Sequence, residues 1–416
     1  MLKSGADNFG IKRDDMKIFT VAELTKLAQH YRNDDPGTAS PAPWMTDLLL
    51  FVKQWTGPDD FIDVKTSGST GLPKLIRHPK TSMLASARMT CNFLDLKPGM
   101  NALLCLSTRN IAGMMMVVRC FERDMNIVAV PPDGHPLKHA LPDVPLHFAA
   151  MVPAQVYNSL KDTIRDEGKR SIDSIENLII GGAPVGYGLL KELEQVPGKV
   201  YATFGMTETI SHVALRRLNR PSASETPDCI ASVKDGRDYR PLVTHTTDFS
   251  EISDEYTALA GIGISVGEEG NLILEVPYLP EPHVVTNDLV EITGKHTFRW
   301  LGRMDHVINT GGFKVFPESI ETRIAQVMDD HFRSHLSTQR YFIAGVPDEK
   351  LGERIVLVVE DFEERPAHKV KPEAAVLKAF DEVLAHHEVP QEIWYTSRFI
   401  ETPTGKIIRS ATVKKF

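Results

Sequence analysis

The sequence predicts a two-domain α/β protein. A large N-terminal domain (1–302) is built on a mostly parallel sheet and carries a β-rich subdomain at about 225–300, and a small α+β domain follows (303–416). Three observations predict this. From about 60 to 215, short apolar runs at 102–106, 126–130, 148–152, 178–180 and 200–204 recur, several passing through Gly, Pro or Ser into a helical pattern. Such alternation implies parallel strands covered by helices. From about 225 the pattern changes to period two, with Leu272, Leu274 and Val276 alternating with Ile273 and Glu275 between glycines; this reads as β structure. After Arg303 a shorter mixture of strand and helix signals begins.

Taken in order, residues 1–60 are mixed, with a Pro/Asp/Ser-rich turn region at 33–43 between two helical stretches. Thr81 opens a helix with Met83, Leu84, Ala87, Cys91 and Leu94 at helical spacing. In the C-terminal unit Pro317 suits the first turn of a helix. Strands are expected at 341–345, 355–359 and 392–399, and a helix at 373–386. Ligands of parallel α/β sheets bind at the carboxyl ends of the strands.

The 416 residues are 42% hydrophobic and 25% charged, with a formal net charge of -8. An acidic chain argues against a nucleic-acid or anionic-membrane partner. Cys91, Cys105, Cys120 and Cys229 have no metal or redox spacing, so free thiols in a reducing compartment are expected. The segment 1–15 lacks a signal-peptide core. No apolar run approaches the roughly 20 residues of a membrane span. A cytoplasmic protein is the plain expectation.

The strongest local signal is Thr66-Ser67-Gly68-Ser69-Thr70-Gly71-Leu72-Pro73-Lys74. Its glycines let backbone N–H groups approach an anion. Its hydroxyls add rotatable donors, and Lys74 adds a compact charge suited to phosphate. Ile62, Val64, Leu75 and Ile76 flank it, so it should join two strands. It is not a Walker A loop, because Pro73 stands where Gly must precede Lys. The bland alternative is a Ser/Gly surface turn.

Further along stand Gly181-Gly182-Ala183-Pro184 and then Tyr201-Ala202-Thr203-Phe204-Gly205-Met206-Thr207-Glu208. The second is a strand ending in a Gly turn, with a hydroxyl and a carboxylate beyond. Glu208 is the kind of hard ligand that Mg²⁺ takes together with phosphate oxygens. The alternative is Thr207 as a helix N-cap with Glu208 in the first turn. Asp288, Trp300-Leu301-Gly302-Arg303-Met304-Asp305, Ile308 to Val315 with Gly311-Gly312, and Thr402 to Arg409 with Lys406 follow in that order.

These strings, over about 60–410, resemble the motifs of the adenylate-forming superfamily, which includes acyl-CoA synthetases, peptide-synthetase adenylation domains and beetle luciferases. The resemblance implies ATP, Mg²⁺ and CoA as ligands and a small-molecule carboxylic acid as substrate. It implies that residues 66–71 and Lys74 hold the phosphates, that Gly181, Gly182 and Ala183 lie near the adenine and acyl group, and that Phe204 and Gly205 also bind the cofactor. Thr207 would donate to the α-phosphate and Glu208 would hold Mg²⁺. Asp288 would accept the ribose hydroxyls, with Asn287 where the superfamily more often has Gly, and Arg303 would contact the nucleotide. Asp305 would be the hinge of a C-terminal lid, Gly311 and Gly312 would line the pantetheine path, and Lys406 would enter the site for adenylation.

Within the superfamily the chain resembles the o-succinylbenzoate–CoA ligase group of menaquinone biosynthesis, through 207–214, Ile111-Ala112-Gly113, Gly134-His135-Pro136-Leu137 and 308–321. Arg109-Asn110 departs from the more usual pair before Ile111, and Met114 stands where a Lys is common. Arg109, Asn110, Ser211 and His212 are placed beside the acyl pocket by motif position, with Arg109 the expected partner of a second substrate carboxylate. The alternatives are a ligase for another aromatic or dicarboxylic acid, or a stand-alone adenylation protein that loads a carrier protein.

Overall fold

The computed structural model describes residues 16–31, 41–65, 75–140, 143–165, 171–220, 230–234, 238–242, 253–331, 340–361, 366–402 and 407–416. They fall into two compact units. One is drawn from Met1–Val64, Ile76–Gly182 and Val196–Tyr201, the other from Lys65–Leu75, Ala183–Gln195 and Ala202–Phe416.

In the first unit β1 (Lys17–Phe19) leads into α1 (Val21–His30) and α2 (Pro43–Trp55). Thr20 caps α1 in a capping box: its hydroxyl accepts from Glu23 N, and Glu23 Oε2 accepts from Thr20 N. β2 (Phe61–Lys65) and β3 (Leu75–Pro79) form a two-stranded sheet, so the phosphate-loop string does lie between two paired strands. Then come α3 (Lys80–Phe93), β4 (Asn101–Leu104), α4 (Ile111–Arg123), β5 (Asn126–Ala129), β6 (Leu146–Met151), α5 (Pro153–Arg165) and β7 (Ile175–Ile180). The strand order is β1-β5-β4-β6-β7. The four later strands are parallel, and β1 is an antiparallel edge on β5. Both faces of these strands are covered, so they read as continuous apolar runs; Ile127, Val128, Ala129, Phe148 and Ala149 are fully buried.

The second unit takes in α6 (Tyr187–Leu193) and the end of β8 (Lys199–Gly205), which begins in the first. β9 (His212–Arg217) is followed by a separate hairpin of β10 (Ile230–Lys234) and β11 (Asp238–Leu242). β12 (Glu255–Ala258), β13 (Gly263–Val266), β14 (Asn271–Glu275), β15 (His283–Ile292) and β16 (Thr297–Arg303) pair antiparallel in the order β9-β12-β16-β15-β14-β13. The β-rich region thus stands as the period-two pattern predicts. One inward face carries Leu272, Leu274 and Val276, all fully buried.

Beyond Arg303 come β17 (Ile308–Thr310), β18 (Phe313–Val315), α7 (Pro317–Arg323), α8 (Ala325–His331), β19 (Tyr341–Asp348), β20 (Gly352–Glu360), β21 (His368–Val370), α9 (Ala374–Val383), β22 (Glu392–Thr396) and α10 (Arg409–Val413). Pro317 is at the first position of α7. The strands make one sheet, β18-β17-β20-β22-β21, with β19 on β20. The expected strand at 392–399 is shorter than predicted: it stops at Thr396, whose hydroxyl turns to Arg398 O. The helix expected at 373–386 ends at Val383, and His386 lies in a one-turn 3₁₀ helix instead.

Candidate active site

Residues 66–71 and Lys74 lie outside the described residues, as do Lys406 and Cys229. Cys91, Cys105 and Cys120 are free and buried, and burial pushes the Cys105 and Cys120 thiols up. That makes them inert core residues.

In the first unit β7 runs out into Gly181, whose N–H donates to Met151 O at 3.1 Å, and Gly182, at φ +86°. Ala183, just beyond, is exposed. Asn110 is the residue before α4 and its side chain makes no cap. Arg109 is 72% exposed, and its Nε lies 2.8 Å from Asp47 Oδ2 on α2. The expectation that Arg109 awaits a substrate carboxylate therefore meets a competitor: a carboxylate of the chain itself already takes that place.

In the second unit the end of β8 is anchored by aromatic packing. The Phe204 ring meets Phe298 and Tyr256 edge-on, with centroids 5.2 and 5.8 Å away. Phe204 thus faces a core cluster with its ring. At Gly205 a Cβ would sit 2.5 Å from Ser211 O and His212 Cα, so only glycine lets the turn from Met206 to Ser211 fold back on the strand. No helix follows Thr207, and the N-cap alternative is not realised. Ile210 N–H donates to Thr207 O at 3.0 Å, and Ile210 itself sits at φ +69° with its side chain fully buried. For a β-branched residue that conformation is strained by about 1–3 kcal/mol and persists only where its surroundings over-determine it.

Those surroundings are polar. Thr209 Oγ1 accepts from Met206 N at 3.0 Å, and its proton reaches Met206 O or Ser211 O, at 3.0 and 2.8 Å. Thr209 O accepts from Ser211 N and from the Tyr278 hydroxyl, at 2.8 and 3.0 Å. The turn leaves Glu208 exposed and Ser211 half-buried, while His212 starts β9 buried, its Nδ1 3.4 Å from Ser211 Oγ.

A second constellation forms across β15 and β16, where Asp288 and Arg303 are directly opposite. Asp288 is buried. Its Oδ1 accepts from Trp300 Nε1 at 2.9 Å, and its Oδ2 lies 3.7 Å from Arg303 Nη1. Burial raises the Asp288 carboxyl above its ordinary range, against the pull of Trp300 and Arg303. Arg303 Nε also donates to Asp305 Oδ1 at 3.1 Å. Burial would raise Asp305 too, but Arg303 holds it below its ordinary value. Asp305 lies in the 3₁₀ turn Met304–His306. His306 Nδ1 meets Glu318 Oε1 at 2.5 Å, and Arg409 lies 3.3 Å from the same oxygen. Arg409 also binds Glu321 through both oxygens, at 2.7 and 3.0 Å. Gly311 and Gly312, at φ +56° and +87°, make the two-residue turn of the β17–β18 hairpin. Both signs are those of the turn that matches strand twist.

These groups fit a nucleotide and Mg²⁺. The second Asp288 oxygen, 3.7 Å from Arg303 Nη1, has the chemistry of an acceptor for a diol. Among the described residues no cluster of three metal-ligating side chains occurs. A single carboxylate such as Glu208 suits Mg²⁺ when phosphates and water complete the octahedron.

Sequence reasoning named Trp300 only as part of a motif, and missed Tyr278, His306 and Glu318 as partners. The strand alternation at 283–303 held the signal for Trp300 and Asp288. Tyr278 had none, since it acts across 69 residues.

Asp288 and Arg303 face each other across β15 and β16, and the strained Met206–Ser211 turn carries a hydroxyl and a carboxylate, a set of groups that suits a nucleotide-handling enzyme. Residues 23–240, just over half of the chain, match the AMP-binding enzyme family, and the chain belongs to it. Similar proteins include the 2-succinylbenzoate–CoA ligase of Salmonella typhimurium, 26% identical over 71% of this chain and 57% of that one. The chain thus spans little more than half the length of that relative. The probable 2-succinylbenzoate–CoA ligase of Mycobacterium tuberculosis is 24% identical over 95% of this chain and 96% of that one. Among solved structures, an acyl-CoA synthetase (AMP-forming)/AMP-acid ligase II-like protein from Dyadobacter fermentans is 32% identical, covers 96% of this chain and 99% of that one, and superposes with a TM-score of 0.56.

Proposed function

We propose that the protein uses ATP to activate a carboxylic acid as its acyl-adenylate and then passes the acyl group to CoA, and that the acid is o-succinylbenzoate. The acid oxygen attacks the α-phosphorus and pyrophosphate leaves; the CoA thiol then attacks the carbonyl and AMP leaves. Asp288, held by Trp300 and facing Arg303, is the single observation that carries the nucleotide half of this reading. Its buried carboxylate accepts the ribose hydroxyls. Thr207 donates to the α-phosphate. Lys74 and Lys406 neutralise charge that grows as pyrophosphate departs, and such preorganised donors are the main lever in phosphoryl chemistry. Mg²⁺, when bound at Glu208, supplies further charge stabilisation. The lid then turns at Asp305 and brings Gly311-Gly312 to the thioester step.

The likeness to two 2-succinylbenzoate–CoA ligases supports the choice of acid. The Arg109–Asp47 pair favours a second reading, another aromatic acid without a distal carboxylate. The test is a pyrophosphate-release assay over aromatic, dicarboxylic and fatty acids, with CoA and a carrier pantetheine as competing acceptors. Release with o-succinylbenzoate is expected, with acyl-CoA the only thioester formed. Release with a neutral aryl acid at equal kcat/KM refutes the dicarboxylate, and no acid-dependent release refutes the enzyme.

A further inference from the structure

The Met206–Ser211 turn carries the expected phosphate and Mg²⁺ ligands, yet its shape is imposed from elsewhere. Ile210 is held at φ +69° while its side chain is fully buried. The carbonyl of Thr209 ties this turn to a side chain remote in sequence: Tyr278 Oη donates to it at 3.0 Å. Tyr278 lies in the β14–β15 connection. There Leu279 N–H donates to Val276 O at 3.0 Å, and Val276 N–H to Pro282 O at 2.7 Å. Pro277, Pro280 and Pro282 surround it, and each fixes its own φ. A stiff connection thus offers one hydroxyl to the backbone of a strained turn.

We propose that Tyr278 is a positioning residue: it fixes the Thr209 carbonyl and so sets where Thr207 and Glu208 stand for nucleotide and metal. Residues that anchor a reacting group from behind act through geometry, and a small misplacement of the group costs far more in rate than in stability. The inference rests on the adenylation reading above. It also accounts for Thr209, whose one hydroxyl serves three backbone groups of the same turn. Tyr278 fixes the turn from outside and Thr209 fixes it from inside, so loss of either frees the same element.

Tyr278→Phe removes the hydroxyl and keeps the ring. It should raise the Mg²⁺ concentration for half-maximal pyrophosphate exchange about tenfold and lower the adenylation kcat by a similar factor. The KM for CoA, measured with supplied acyl-adenylate, should not move. Thr209→Val should give the same signature, and the double variant should be no worse than the poorer single one, since coupled residues are non-additive. A purely structural role predicts equal losses in both half-reactions, additive in the double variant, and that result overturns the assignment. So does an unchanged Mg²⁺ requirement in a folded Tyr278→Phe protein. If the wild-type chain shows no acid-dependent exchange, the adenylation reading fails by itself. Hydrogen exchange at the amides of 207–212 then decides the anchoring: faster exchange in Tyr278→Phe upholds it, and identical exchange overturns it.

Discussion

Two charged constellations, one in each unit, differ in a way that distance alone hides. Arg109 and Asp47 approach to 2.8 Å, whereas Arg303 and Asp288 stand at 3.7 Å. The closer pair is the weaker determinant. Arg109 is mostly in water, where an ion pair contributes about 0–1 kcal/mol. Asp288 is buried with one oxygen fixed by an indole, so its charge is poorly solvated and responds strongly to any donor that arrives. A contrasting pair lies on α7: buried Glu318 is met by both His306 and Arg409, and half-buried Glu321 shares the same Arg409. Burial, not proximity, separates groups prepared for ligands or protons from groups that are merely paired.

The largest effect is expected at Lys406, which the proposed function places in adenylation. Lys406→Ala should lower acyl-adenylate formation by about 10²–10³ and leave thioester formation from supplied acyl-adenylate nearly unchanged. Equal loss of both half-reactions, measured separately, removes the assignment.

A pH test addresses Glu321. Burial pushes Glu321 up to about 7 from its ordinary 4.5, with Arg409 opposing and Glu318 assisting. Between those values the folded chain binds a proton that the unfolded chain has lost. Stability linked to Glu321 is therefore complete below about 4.5 and declines as pH rises to about 7. Urea unfolding of wild type and Glu321→Gln should show the wild type losing ground by up to ~3 kcal/mol between pH 5 and 8. Parallel pH profiles would refute the shift.

Asp288→Ala should raise the KM for ATP about tenfold or more, the loss expected for a hydrogen bond to a charged group, with the melting temperature little changed. An unaltered KM in a folded variant denies the ribose role. The smallest effect belongs to the exposed pair. Arg109→Met should change the KM for o-succinylbenzoate by about twofold or less and leave ATP binding alone. A large, acid-specific rise would restore Arg109 as a substrate ligand and weaken the comparison itself.

Much of the architecture was legible in the chain. The apolar runs of β4 to β7 mark a buried parallel sheet because both faces of such strands meet helices. The alternation at 272–276 marks an antiparallel one because only one face is buried. The motif order carried the family, and the resemblance of those motifs named Asp288, Arg303 and the Gly311-Gly312 turn as candidates. Boundaries were less certain at 396 and 383, where a side-chain bond and a chain turn end the elements earlier than their apolar content suggests.

By itself the sequence determined which residues carry suitable donors and charges, since that is a matter of residue type and local spacing. Only the tertiary structure decided which of them are spoken for. Asp47 precedes Arg109 by 62 positions, Tyr278 follows Thr209 by 69, and Arg409 follows Glu321 by 88. No local pattern encodes such partners, because they meet only when separate elements pack. Desolvation is likewise a property of the packed protein: an aspartate in Asn287-Asp288-Leu289 has an ordinary carboxyl in the unfolded chain, and burial in the folded sheet raises it despite the Trp300 hydrogen bond.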